Sequence, residues 1–204
     1  MSERFLLIRL GAFGDVIHTL PLAAALRDAR PGARIFWAAE PGPAALLEGN
    51  PDVDEVVVVD TRAWRRNLLA EGLPALGRSL RAMAALEADT ALDAQGLIKS
   101  GLLAWASRAP VRVGFERRAC REGLNVVFTN RWAELPGRPH HVVEKNLSLL
   151  EPLGIPQPEA LRFPLPERRE EGEAAEAFLS EAGLKGEGPL LVIHPGAGWA
   201  TKRW

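Results

Sequence analysis

Short apolar runs rich in β-formers alternate along most of this chain with longer stretches rich in Ala and Leu, and that rhythm leaves few folds open. Runs at 5–10, 34–39, 55–60, 90–93, 111–115 and 126–129 read as strands. Several are apolar at nearly every position, as strands must be when both faces of a sheet are covered. The pieces between them, such as 21–30, 73–86 and 97–107, suit helices. Strand-helix alternation of this kind predicts an α/β fold, a doubly wound parallel sheet with helices on both faces. A helix over 141–153 is followed by GIPQPEALRFPLPE, whose four prolines and lack of periodicity mark a crossover. Beyond it, 170–182 reads as a helix closed by Gly183, and 189–194 as a strand running into the loop 195–198. The expected organisation is a doubly wound domain over 1–155, a linker over 156–168 and the beginning of a second domain over 169–204. One helix and one strand are too few to bury a core of their own.

Charge narrows the choice of partners. The 25 Lys and Arg nearly cancel the 26 Asp and Glu, so no global positive field suggests nucleic-acid binding, and an anionic partner must be met by a local patch. The one cysteine, Cys120, has no internal disulfide partner, and no His or Cys cluster offers a metal set. Both features favour a cytoplasmic setting. The opening apolar run is broken by Arg9 and then by glycines, so it reads as a buried first strand and fits neither a secretory leader nor a membrane span of roughly 20 residues.

Five segments could carry chemistry. In RLGAFGDVIHTLP the first strand breaks at Gly11 and Gly14 before Asp15 and a helix. Carboxyl ends of strands face the ligand crevice of such sheets, so Asp15 points where substrates bind, although Asp at this position is also a common helix cap. His18, one turn on, reads as structural. A dinucleotide site is disfavoured despite Glu40 at the end of the second strand: the loop lacks the middle glycine of G-x-G-x-x-G and sets a carboxylate where pyrophosphate would lie. In TRAWRRN, Arg62, Arg65 and Arg66 surround Trp64, a clamp for phosphate or carboxylate or else a solvated surface. LDAQGLIKS brings Asp93, Gln95 and Lys99 to the same edge, and VGF is followed by Arg117, Arg118 and Arg121. Finally, HPGAGWATKRW ends a strand in a small-residue loop, with Thr201 and Lys202 suited to a diphosphate but without a Walker loop.

Taken in order along the chain, RLGAFGDVIHTLPLAAALR, DAQGLIKS, VGF with its basic residues and HPGAGWATKRW resemble the lipopolysaccharide heptosyltransferases, glycosyltransferase family 9. The resemblance implies two Rossmann-like domains of the GT-B type facing across a cleft, with no required metal or other cofactor. It implies an acceptor site for an anionic glycolipid, the lipopolysaccharide inner core, in the amino-terminal half, and a nucleotide-sugar donor, ADP-heptose, in the carboxyl-terminal half. By the same resemblance Asp15 is the general base of an inverting, single-displacement transfer. Gly196, Ala197, Thr201 and Lys202 hold the donor phosphates, and Arg62, Arg65, Arg66, Lys99 and Arg121 meet the acceptor. No nucleic acid is expected, and contact with the inner membrane is expected to be transient and peripheral. Such enzymes continue well past the length seen here, so the 204-residue chain is expected to be nearly inactive alone. A related GT-B enzyme with another donor or acceptor, and a non-catalytic acceptor-binding module, stay open on the residues themselves.

Overall fold

A computed structural model describes residues 2–65, 67–135, 141–184, 188–193 and 195–196. The chain divides into two compact units, Met1–Pro166 and Glu167–Trp204. The first is a six-stranded sheet in the order β3-β2-β1-β4-β5-β6, with every neighbouring pair parallel. Its strands are β1 (Arg4–Ile8), β2 (Arg34–Ala39), β3 (Glu55–Val58), β4 (Thr90–Asp93), β5 (Val111–Phe115) and β6 (Arg131–Ala133). The helices of this unit are α1 (Phe13–Ile17), α2 (Leu20–Ala29), α3 (Pro41–Ala44), α4 (Leu73–Ala85), α5 (Ile98–Ala106) and α6 (Val142–Leu147).

Alternation along β1 shows how the layers are sealed. Phe5 and Leu7 join the core with Leu20, Leu22 and Leu26 of α2 and Val143 and Leu147 of α6. Leu6 and Ile8 point the other way, toward Met83 of α4 and Leu103 of α5. Because both faces are covered, β1 is apolar at every position after Arg4, the continuous signature read from the sequence. Pro21 restarts the helix after α1: it sits in the first turn of α2, where its missing N–H costs nothing. The segment after α6 tightens into 3₁₀ turns over Ser148–Leu153, which contain Pro152, and ends at Gly154 with φ of 66°.

Two expected strands are absent. The run at 126–129 is not a strand: Gly123–Val127 forms 3₁₀ turns, with Leu124 and Val127 exposed, and the sixth strand follows at Arg131–Ala133. The cause is local. Asn125 is fully buried, and its amide donates to Asp93 (2.6 Å) and to the Leu97 carbonyl (2.7 Å), which holds the turn against α5 and away from the sheet. In the second unit, the helix Arg169–Glu181 (α7) forms as expected and Gly183 takes the left-handed conformation, φ of 69°. Residues 189–193 form no strand and are exposed; an isolated extended segment has no ladder to join, and the unit has no strand among its described residues.

The approach of the 123–127 turn to α5 depends on Gly101. A Cβ there would lie 2.7 Å from Asn125 Nδ2 and 2.8 Å from Phe128 Cδ2. Asn125 cannot yield without breaking its bonds to Asp93 and Leu97. Gly101→Ala is therefore expected to destabilise the chain by about 1–3 kcal/mol through overpacking, despite alanine's better helix propensity. Urea unfolding checks this, and an unchanged midpoint would contradict it.

Candidate active site

The strand order reverses on either side of β1: β2 and β4 flank it, and their connections run to opposite ends of the sheet. In open α/β sheets a crevice opens at the carboxyl ends of strands at such a point. Here the loop after β1 is kept out of the gap by neighbouring strand ends, since Leu10 N–H donates to Gln95 Oε1 (2.7 Å) and Glu40 N–H to the Leu10 carbonyl (2.8 Å).

Two adjoining hollows occupy this edge. One, of about 230 Å³, is lined by Gly11, Ala12, Phe13, Glu40, Pro43, Arg62, Gln95 and Lys99. The other, of about 280 Å³, is lined by Glu40, Thr61, Arg62, Arg65 and Lys99. Arg62 is set by an Asx turn in which Asp60 Oδ1 accepts from the N–H groups of Arg62 (3.0 Å) and Ala63 (3.1 Å). Trp64 pins the same turn to α4 by donating from Nε1 to Ser79 Oγ (3.3 Å). Arg65 lies on this turn, while Arg66 lies outside the described residues. Lys99 projects from the first turn of α5 and donates to Glu40 Oε1 (3.1 Å) and Thr61 Oγ1 (2.9 Å), and Thr61 donates to the same Glu40 oxygen. The floor thus carries a largely compensated ion pair, with Arg62 and Arg65 as cations on its wall.

Asp15 lines neither hollow; it lies in α1, two residues beyond Phe13, which with Gly11 and Ala12 lines the first hollow. Its side chain is 34% exposed, and each oxygen has one partner: Arg9 Nη2 lies 3.0 Å from Oδ1, and Ala12 N–H donates to Oδ2 (3.1 Å). Asp15 therefore caps α1, one of the two readings the sequence left open, and keeps free lone pairs toward solvent. The neighbouring face is cationic. Lys145 of α6 lies over the Phe115 ring, 4.4 Å from its centroid, and donates to the Ala119 carbonyl. Burial pulls the Lys145 ammonium below the usual lysine range, and the charges of Arg9 and Arg121 act in the same direction against Cys120 and Asp93. His18 meets His141 edge to face, 5.2 Å between centroids, so it packs against α6's cap residue as a structural histidine would.

Asp93 has a different part from Asp15. It is wholly buried, and accepts from the N–H groups of Gln95 (2.9 Å) and Gly96 (3.1 Å), from Ser100 Oγ (2.9 Å) and from Asn125 Nδ2 (2.6 Å). Burial pushes its carboxyl above the usual range, against those four hydrogen bonds. It shapes the loop that presents Gln95 and Lys99. Arg121 lines neither hollow; its backbone N lies beside Gly96, whose φ is 67°. Among the described residues, no three His, Cys, Asp or Glu side chains gather in a group that could hold a metal ion. Gly196 is exposed in the second unit, and Ala197, Thr201 and Lys202 lie outside the described residues. Arg9, Glu40 as the partner of Lys99, and Thr61 escaped the sequence reading as site residues.

Known proteins resemble this chain in sequence and fold. The profile of Glycosyltransferase family 9 (heptosyltransferase) matches residues 74–204. Lipopolysaccharide heptosyltransferase 1 of Pseudomonas aeruginosa is 33% identical over 98% of this chain and 54% of its own length. That of Escherichia coli K12 is 32% identical over 76% of this chain and 49% of its own. Among solved structures, E. coli heptosyltransferase WaaC with ADP-2-deoxy-2-fluoro heptose superposes with a TM-score of 0.66 at 30% identity, covering 77% of this chain and 50% of that one. The glycosyl transferase family 9 protein of Veillonella parvula superposes at 0.79 with 25% identity, covering 99% of this chain and 56% of that one. The chain spans about half the length of the curated relatives it matches.

Removing the buried hub should show in stability first. Asp93→Ala removes the shared acceptor of four hydrogen bonds, leaving the Gln95 and Gly96 N–H groups without it while Ser100 and Asn125 keep the Leu97 carbonyl, and is expected to cost about 3 kcal/mol, read as a lower melting temperature; a parent-like melt would show that the loop is held by other means.

Proposed function

The chain belongs to Glycosyltransferase family 9, the heptosyltransferases, and has the Rossmann-like α/β fold of its GT-B relatives; from that premise we propose that it carries the acceptor half of an enzyme moving heptose from ADP-heptose to the lipopolysaccharide inner core. The observation that supports this reading is a partly exposed Asp15 carboxylate, held by Arg9 and Ala12 and two residues beyond Phe13, which lines the same hollow as Arg62.

In the proposed reaction the acceptor hydroxyl oxygen attacks the anomeric carbon of the heptose from the face opposite ADP. A carbon–oxygen bond forms there while the bond to the diphosphate breaks and its electron pair leaves with ADP, so the configuration inverts. The hydroxyl proton passes to Asp15, which needs only to lie within hydrogen-bond reach in the bound complex. Placement supplies much of the advantage, because a bound hydroxyl beside a fixed base reacts as one molecule. The departing charge needs a cation, a role given to Lys202 with Thr201 and the Gly196 and Ala197 backbone, on family resemblance. Arg62, Arg65 and Arg66 pair with the acidic sugars or phosphates of the acceptor, and Arg121 extends that surface. Lys99 contributes through its bond to Glu40, which leaves the cleft floor nearly neutral and the wall positive. No described helix is long and apolar enough to cross a membrane; the lipid-linked acceptor would bring the protein to the inner leaflet of a cytoplasmic membrane by transient contact.

Two substitutions in the complete protein test the reading. Asp15→Ala is expected to lower kcat by roughly 100- to 10,000-fold with ADP-heptose and heptose-free core; turnover within a few-fold of the parent would remove Asp15 from the chemistry. Arg62→Ala with Arg65→Ala is expected to raise the acceptor KM by about tenfold or more, with the donor KM unchanged. Transfer only from a different nucleotide sugar would keep the mechanism and replace the donor.

A further inference from the structure

Arg9 is an unusual residue for its place. It directly follows β1, the central strand, whose last four residues are at most 4% exposed, and its own side chain is 9% exposed. Burying a guanidinium is costly unless its donors are met and its charge is opposed. Its main chain is locked on both sides: Arg9 N–H donates to the Ala38 carbonyl (3.2 Å), and the fully buried Trp37 donates from Nε1 to the Arg9 carbonyl (3.2 Å). Of the guanidinium, Nη1 donates to the Ala94 carbonyl at the end of β4, Nη2 reaches Asp15, and the buried Nε has no partner among the described residues. The group is therefore anchored on the sheet at one end and spends its other end on a single carboxylate oxygen.

We propose that Arg9 is the positioning residue for Asp15: it transfers the rigidity of the β1–β4 sheet edge to the carboxylate and fixes the direction of its free lone pairs. This rests on the reading of Asp15 as the base. Without Arg9, Asp15 would keep only the Ala12 N–H, a contact within its own short helix that does not tie it to the sheet. The other charges close to this pair, Lys145 from α6 and Asp93 from β4, make no direct bond to Asp15. Arg9, like Asp15, lines neither hollow, and its guanidinium is spent on the Ala94 carbonyl and Asp15.

The test is a double-mutant cycle in the complete protein, with ADP-heptose and heptose-free core. Arg9→Met is expected to lower kcat by about 100-fold, the scale of a misplaced catalytic group, with both KM values within about twofold of the parent. Arg9→Lys, which keeps a cation for Asp15, should recover a large part of that loss. In an Asp15→Ala background, Arg9→Met should change the residual kcat less than twofold, because the group it positions is gone. An equal fall in both backgrounds would make Arg9 a purely structural residue, and parent-like kcat in Arg9→Met would remove it from the reaction; either overturns the proposal. If Arg9→Met does not fold, Arg9→Gln, which keeps a donor for the Ala94 carbonyl, is judged by the same criteria. Full activity of Asp15→Ala alone would instead sink the function reading, a separate outcome.

Discussion

Strand order sets everything at this site. Because β2 lies on one side of β1 and β4 on the other, the loops leaving these strands diverge, and the sheet edge between them cannot be closed by its own connections. The loop after β1 is tied to the neighbouring strand ends, Leu10 bonding the Gln95 side chain and the Glu40 N–H, and a cleft is left at this edge. The residues that line the two hollows stand at the end of a strand or within a turn or two of one. The sheet thus acts as a rigid frame on which side chains far apart in sequence meet.

Glu40 lines the cleft and Asp15 lies two residues beyond its Phe13, and the surroundings of these two carboxylates separate their uses. Glu40 gives one oxygen to both Lys99 and Thr61, so its charge is absorbed by the floor. Asp15 has one partner on each oxygen, the Ala12 N–H and a guanidinium that is itself held to the sheet, and about a third of its side chain stays in contact with solvent. A base needs this combination of fixed orientation and free lone pairs. Asp93, though nearer the middle of the sheet, is wholly enclosed by four donors and organises the loop after β4 without access to a ligand.

The sheet was legible because burial on both faces writes itself into uninterrupted apolar strands, and five of the seven expected strands lie where that pattern puts them. The sixth misled for the reverse reason. Val126, Val127 and Phe128 have strand-like side chains, yet Asn125 is drawn into the Asp93 network and turns the backbone before a strand can form. No periodicity reports such a bond across 32 positions. In the same way, Glu40, Thr61 and Lys99 become neighbours only through parallel strand register. Arg9 was visible as the break in an apolar run, and a lone buried arginine directly after a buried strand is a signal that a carboxylate partner lies close by.

The central claim is that the attacking hydroxyl meets Asp15. The most direct measurement is a crystal structure of the complete protein with heptose-free acceptor and the inert ADP-2-deoxy-2-fluoro heptose. The account predicts that hydroxyl oxygen at about 2.6–3.2 Å from an Asp15 carboxylate oxygen, with Arg9 still on Oδ1. A hydroxyl bonded to Glu40, or turned away from Asp15 with no bridging water, would contradict it.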